Sequence, residues 1–523
     1  MTIKKTKIEF GDFQTPRDLA VAVTTFLRYA GISPSVIVEP TCGHGSFVLA
    51  AHDVFSKVRQ IFAFDINDAY VLDLRNKVHD ASGVHWHVAR QDFFTYNWKE
   101  FFATFRGEIL VLGNPPWVTN AALGVLRSDN LPEKTNFQNH VGFAAKTGKA
   151  NFDISEWMLI KLLEALNGRH GSLAMLCKTS TARKVLRHGW LHQFNIGRAS
   201  LHLIDAALHF GVSVDACLLV VHMGVPDLLS KAGVYADLSF DNKLTTFGLV
   251  GKNLVADVDE YQRLRDLDGI AYYTWRSGVK HDAASVMEFS KSGDTLVNGS
   301  GEQVRIEPTY LYPLLKSSDL ANDRLIPKRS VLVTQRKPGD DTASIARTAP
   351  KTWAYLLSHA EALDRRQSII YQKRPQFSVF GVGDYTFSPW KVAISGLYKN
   401  CRFVVVGKHK NKPVVLDDTC YSIPCSSEEE ATLMCLLLNS DITKRFLHSL
   451  VFFDAKRPVT IDVLSRIDLK RVAERLGLER EARTYFRDAA MFESQQGLLV
   501  FEKQAQYLTR RSRGSRLKSR RAP

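Results

Sequence analysis

At 523 residues the chain is too long for one ordinary hydrophobic core, so two domains with a small third element are expected. Apolar content of 45% and charged content of 24% are those of a globular protein, and the lack of any run of about eighteen apolar residues argues against a membrane-spanning helix. A net charge of +15 points to a polyanionic partner, nucleic acid being the commonest. The seven cysteines are scattered and form no C-x-x-C pair, so reduced buried thiols are expected, and no metal site. Lys4, Lys5 and Lys7 precede no apolar segment, and no secretory signal is expected.

The first 225 residues alternate between strand-like and helical runs. Strands are expected over residues 35–40, 61–66, 84–89, 108–112, 171–178, 200–206 and 216–223, and helices over 17–29, 46–57 and 154–166. Pro16 and Asp153 serve as helix-start signals. The alternation predicts a doubly wound α/β sheet, in which ligands bind at the carboxyl ends of the strands. From about residue 226 the texture changes. Polar stretches at 293–303 and 337–344 separate short β-like runs at 330–334, 392–395, 402–406 and 413–416. A basic hairpin tip, Gly407-Lys408-His409-Lys410-Asn411-Lys412, joins two of them, and residues 428–450 read as one long amphipathic helix carrying Leu433, Leu436, Leu437 and Phe446. Residues 226–485 are expected to form a second domain of mixed α and β content. Residues 486–523 are expected to be a helical segment and basic tail, where Arg510, Arg511, Arg513, Arg516, Lys518, Arg520 and Arg521 hold about half of the excess positive charge.

The chemistry-bearing residues fall at the expected strand ends. Val38-Glu39-Pro40-Thr41-Cys42-Gly43-His44-Gly45 follows the first strand, its glycines allowing a tight turn and close approach of a ligand. No Gly-Lys-Ser/Thr follows, so it is not a phosphate loop, and Glu39 suits a cation better than a pyrophosphate. Asp65 ends the second strand, where a carboxylate can take both hydroxyls of a ribose; Asp92, followed by Phe93, ends the third, placed to accept from an adenine amino group beside an aromatic ring. Each acid alone is more simply a helix cap, but the ordered set describes a pocket for a cationic, adenosine-bearing cofactor, S-adenosylmethionine. After the fourth strand comes Asn114-Pro115-Pro116-Trp117. The asparagine supplies a carbonyl acceptor, proline brings no competing N–H, and tryptophan offers a π-face to a base removed from its stack.

In this order, from Gln14-Thr15-Pro16 through the glycine turn, Asp65, Asp92-Phe93 and Asn-Pro-Pro-Trp to a large C-terminal region, the chain resembles the gamma class of amino-methyltransferases. These are the DNA adenine N6-methyltransferases of restriction–modification systems. The similarity covers roughly residues 8–225; beyond it, fragments such as Tyr312-Pro313-Leu314-Leu315-Lys316-Ser317 continue it. Trp117 stands where Tyr or Phe is more usual.

The resemblance implies a Rossmann-like methyltransferase sheet over residues 1–225, a DNA target-recognition domain after it, and methyl transfer from S-adenosylmethionine to N6 of a flipped-out adenine in double-stranded DNA. It assigns Thr15, Glu39, Pro40, Gly43, Gly45, Asp65, Ile66, Asp92, Phe93 and Asn114 to the cofactor, Asn114, Pro115 and Trp117 to catalysis, and Pro116, Trp117 and Phe210 to the target base. Residues 128–151 would line the DNA groove. Lys408 and Lys410, with the clusters Gln335-Arg336-Lys337 and Gln372-Lys373-Arg374, would contact DNA. A monomer in a prokaryotic cytoplasm, associated with the nucleoid and partnered by a separately encoded restriction endonuclease, is implied. Alternatives are an RNA or protein glutamine N-methyltransferase, which share the Asn-Pro-Pro-aromatic turn, a cytosine N4-methyltransferase, and a DNA-binding protein without catalysis.

Overall fold

The computed structural model describes residues 14–78, 83–118, 153–225, 227–293 and 295–486. Segment 128–151 and the basic tail lie outside the described residues. The chain divides into two compact units, Met1–Asp259 and Glu260–Pro523.

The first unit is built on one ten-stranded sheet. Its strands are β1 (Val36–Glu39), β2 (Gln60–Asp65), β3 (His85–Arg90), β4 (Ile109–Gly113), β5 (Gly171–Lys178), β6 (Ile196–Ile204), β7 (Ala216–Met223), β8 (Lys231–Tyr235), β9 (Lys243–Val250) and β10 (Asn253–Val255). They lie in the order β10-β9-β8-β6-β7-β5-β4-β1-β2-β3. β1 to β5 are mutually parallel, and β7 runs antiparallel between β5 and β6. Every residue of β1 and β4 is buried, as expected of parallel strands covered on both faces.

Helices α1 (Arg17–Tyr29), α2 (Ser46–Val54), α3 (Asp68–Lys77), α4 (Trp98–Ala103), α5 (Ile154–Leu166), α6 (Thr179–Leu191) and α7 (Ala206–Phe210) connect the strands. α1 buries Leu19, Ala20, Val23, Phe26 and Leu27, an i, i+3/i+4 stripe, in a core shared with Phe47 and Val48 of α2, Ile37 of β1 and Leu110 of β4. The expected boundary near residue 225 coincides with the end of β7, but the sheet runs on. β8 pairs in parallel with β6, and β9 and β10 add an antiparallel edge. β8 and β10 are short and all three strands are largely half-exposed or exposed, so their apolar signal is weak.

The second unit holds two smaller sheets. Its strands are β11 (Arg276–Ser277), β12 (Glu288–Ser292), β13 (Thr295–Asn298), β14 (Gln303–Val304), β15 (Leu311–Leu315), β16 (Arg329–Leu332), β17 (Trp390–Ser395), β18 (Val404–Val406), β19 (Val415–Leu416) and β20 (Cys420–Cys425). The orders are β11-β20-β17-β18 and β14-β13-β12-β16-β15-β19. The polar stretch 293–303 is not a connector: β13 lies within it, between β12 and β14, at the sheet edge where polar faces remain wet.

The long helix expected over 428–450 is two helices, α8 (Glu428–Asn439) and α9 (Asp441–Leu450). Ser440, at φ −60° and ψ 152°, leaves the helical region, and its hydroxyl caps α9 through the amide of Thr443. The basic tip is a two-residue hairpin: His409 bridges Lys412, and Lys410 and Asn411 both adopt positive φ. Among the described residues, no helix is long and apolar enough to cross a membrane.

Candidate functional site

The winding of the large sheet reverses between β1 and β4, with β2 and β3 beyond one and β5 beyond the other. A crevice outside the carboxyl ends of the strands is expected at such a switch point. Glu39 closes β1, and Gly113 leads from β4 into Asn114.

Glu39 is only 2% exposed, and its Oε2 accepts the amide N–H of Val48 at 3.1 Å. Burial pushes its carboxyl well above the usual carboxylate range; the Val48 N–H works against this and the nearby Asp65 charge adds to it. A cation placed beside Glu39 would favour its ionised form. Burial chiefly, with the Glu39 and Asp65 charges, also raises the Cys42 thiol, which marks it as an unreactive packing residue.

The glycine turn is held by its own backbone and by Asp65. Cys42 N–H donates to Phe64 O at 2.8 Å, Gly45 N–H to Cys42 O at 2.8 Å, and Gly43 N–H to Asp65 Oδ2 at 2.8 Å. The other oxygen of Asp65 accepts from Asn67 N–H at 2.9 Å. One carboxylate thus ties the turn after β1 to the turn after β2. Gly43 (φ +50°) and Gly45 (φ +82°) occupy the left-handed region. A Cβ on Gly43 would lie 2.4 Å from Gln14 Oε1, and one on Gly45 2.3 Å from Leu74 Cδ1. Gln14 is therefore part of the turn, its Oε1 accepting from His44 N–H at 3.2 Å. Thr41 Oγ1 is buried and has no hydrogen-bond partner among the described residues.

Asp92 and Phe93 follow β3. Asp92 Oδ1 accepts from Phe94 N–H at 2.8 Å, a local turn contact. The Phe93 ring is 6% exposed and packs on Trp98 and Trp157, with centroids 5.0 and 6.1 Å away, so most of its surface is spent on this aromatic cluster. Ile66, directly after β2, is half-buried, as is Asp92.

At the end of β4, Asn114 and Pro116 are half-buried while Pro115 and Trp117 are buried. Asn114 Nδ2 donates to Thr15 Oγ1 at 3.3 Å, which orients the amide with its nitrogen toward the segment before α1. The Trp117 indole donates to Leu176 O at 3.4 Å. The structure brings Phe210, the last residue of α7, against Trp117, but edge to face, with centroids 5.2 Å apart and ring planes at 69°. A base stacked between the two rings would need Phe210 to shift. Lys178, at the end of β5, donates to Trp117 O at 3.2 Å and pairs with Asp153 at 2.5 Å. Lys178 carries the same strand-end signal at β5 that marks Glu39 and Asp65 on β1 and β2.

In the second unit, Lys408 and Lys410 are exposed at the hairpin tip. Lys412 is not available in the same way: it donates to Pro308 O and Leu311 O and lies over the Tyr312 ring. Gln335 is 3% exposed and holds Asp340 O and Val379 N–H, so it builds the fold. Its neighbour Arg336 is exposed over the Phe387 ring, 4.3 Å from the centroid.

These residues fit the cofactor that the sequence describes. The buried Glu39 carboxyl suits a cation, the Thr41 hydroxyl has no partner among the described residues, and both glycines of the turn lie too close to Gln14 and Leu74 to take a Cβ. No group of three or more His, Cys, Asp or Glu that could hold a metal ion is found among the described residues.

Comparison with known proteins adds four likenesses. Residues 2–223 match the family model described as N-6 DNA Methylase. The chain is 44% identical over 478 residues to the Type II methyltransferase M.NspV of Nostoc sp. (strain ATCC 29411 / PCC 7524), covering 90% of this chain and 98% of that protein. A shorter match, 30% over 116 residues, is to the Type II methyltransferase M.CvrRI of Paramecium bursaria Chlorella virus XZ-6E, covering 22% of this chain and 27% of that one. Among solved structures, the fold is similar to the Type IIL restriction–modification enzyme MmeI in complex with DNA, with a TM-score of 0.51 at 14% identity. That match covers 89% of this chain, which spans 65% of the length of MmeI.

Proposed function

We propose that this chain, which belongs to the N6-adenine DNA methyltransferases of restriction–modification systems, transfers a methyl group to N6 of an adenine flipped out of double-stranded DNA. S-adenosylmethionine supplies the electrophilic methyl group when bound. The observation that carries the reading is one convergence: Glu39, the Asp65-held glycine turn and Asn114 all lie at strand ends around the switch point between β1 and β4.

The proposed division of labour is as follows. Glu39 faces the cationic part of the cofactor. Asp65 would take the ribose hydroxyls, and Ile66 and Asp92 would hold the adenine. An adenine amino nitrogen is a poor nucleophile because its lone pair is delocalised into the ring. Asn114 Oδ1 and the Pro115 carbonyl would each accept one N–H, drawing the nitrogen toward tetrahedral geometry and stabilising the charge that develops on it. Holding nitrogen and methyl in line contributes further. The proton then leaves to water. Trp117 offers a face to the flipped base once Phe210 leaves its edge-on position, at a flipping cost of a few kcal/mol. Sequence choice falls to the second unit, where exposed Lys408, Lys410 and Arg336 are the groups to examine.

The test is long-read sequencing of DNA from cells carrying the gene, its Asn114→Ala form, or neither. The reading expects N6-methyladenine at one short motif in the first sample only. Modified RNA or protein with unmodified DNA would transfer it to another substrate class.

A further inference from the structure

We infer that Lys178 is a positioning residue for the transfer step, fixing the exit of the Asn-Pro-Pro-Trp turn; the inference rests on reading that turn as the amine clamp. β4 and β5 are paired in parallel, with Gly113 opposite Met175. Sheet pairing therefore stops as the turn begins. Lys178, three residues beyond Met175, lies alongside the turn and holds it where the pairing has ended. Its ammonium donates to the Trp117 carbonyl at 3.2 Å and to Asp153 Oδ2 at 2.5 Å. The Asp153 side chain is 8% exposed and that of Lys178 23%. The other Asp153 oxygen accepts from both Ser155 N–H, at 3.1 Å, and Ser155 Oγ, at 2.6 Å, at the start of α5. A short, largely buried, charge-assisted contact of this kind sets geometry as well as energy.

Docking of α5 does not depend on Lys178 alone. Ile154 N–H already bonds Val118 O at 2.9 Å, and Glu156, 1% exposed, pairs with Lys184 of α6 at 2.9 Å. What Lys178 adds is a grip on the Trp117 carbonyl, two residues from the Pro115 carbonyl that must meet the amine. A displacement there of about 1 Å is enough to cost roughly a hundredfold in rate.

The test uses the full chain with Lys178→Met and Lys178→Arg, measuring kcat per folded molecule, KM for DNA, cofactor affinity and amide exchange at Ile154. The inference expects Lys178→Met to lower kcat about a hundredfold with cofactor affinity unchanged and with faster exchange at Ile154. Lys178→Arg, which keeps the charge opposite Asp153, is expected to recover part of kcat, and the double variant Lys178→Met/Asp153→Asn, which leaves no unpaired buried carboxylate, carries the test if Lys178→Met does not fold. Wild-type kcat in a folded Lys178→Met, or in the double variant if the single one does not fold, would overturn the inference and leave the clamp reading intact. A wild-type protein that methylates no DNA would instead sink the clamp reading itself.

Discussion

Gly45→Ala places a methyl group where Leu74 already sits. The added Cβ would lie 2.3 Å from Leu74 Cδ1, 2.9 Å from Cδ2 and 3.1 Å from Cγ. The closest approach falls roughly 1.2 Å inside an ordinary carbon contact of about 3.5 Å. Leu74 is fully buried, on α3 beneath the turn, and has no solvent-side escape. Overpacking of this kind costs about 1–3 kcal/mol, and an alanine held at φ +82° adds about 1–2 kcal/mol. Gly45→Ala should therefore destabilise the protein by roughly 2–5 kcal/mol in urea unfolding and weaken cofactor binding, because the turn held by Asp65 must shift. Leu74→Ala alone should cost about 2–5 kcal/mol through the cavity it leaves. The double variant should then be less damaged than the sum, with a favourable coupling of about 0.5–3 kcal/mol, since the new methyl enters that cavity. A Gly45→Ala protein within about 0.5 kcal/mol of wild type, or an additive cycle, would refute the packing described for the turn.

Three other outcomes are expected. Asn114→Ala should lower kcat by about 10²–10³ while leaving cofactor affinity, measured by calorimetry, close to wild type. Asp65→Ala should raise the cofactor dissociation constant and also loosen the turn, since Gly43 and Asn67 both lose an acceptor; unchanged affinity would remove Asp65 from the ribose position. Lys391, 3% exposed in β17, has its ammonium pushed down to about 7 by burial, while it donates to Ser388 O at 2.7 Å. Between that value and the ordinary value of about 10.4 the unfolded chain binds more protons, so this group makes stability rise with pH across that window. Lys391→Met should stabilise the protein by a few kcal/mol at pH 6, reasoning from about 1.4 kcal/mol per pKa unit, and the gain should shrink toward pH 10. A gap independent of pH would contradict this.

The central sheet was legible because strands covered on both faces must be continuous apolar runs, as β4, β5 and β7 are. The strand-end rule then led to Glu39, Asp65 and Asn114. What stayed hidden has local causes. β8 to β10 lack an apolar run because they form a half-exposed edge, and the break at Ser440 turns on one hydroxyl capping the next helix. The contact of Trp117 with Phe210 joins residues far apart in sequence, and its edge-on geometry depends on where the short α7 places its last side chain. Phe93 could be assigned to a strand end but not to the aromatic cluster that takes up its ring, since Trp98 and Trp157 come from two different helices.

The most direct test of the account is to incubate purified protein with labelled S-adenosylmethionine and double-stranded DNA, then digest the DNA to nucleosides and separate them. The predicted result is label in N6-methyl-2′-deoxyadenosine alone, at a rate lowered about 10²–10³-fold in Asn114→Ala. Label in a cytosine derivative, or in added RNA or protein while DNA stays blank, would contradict it.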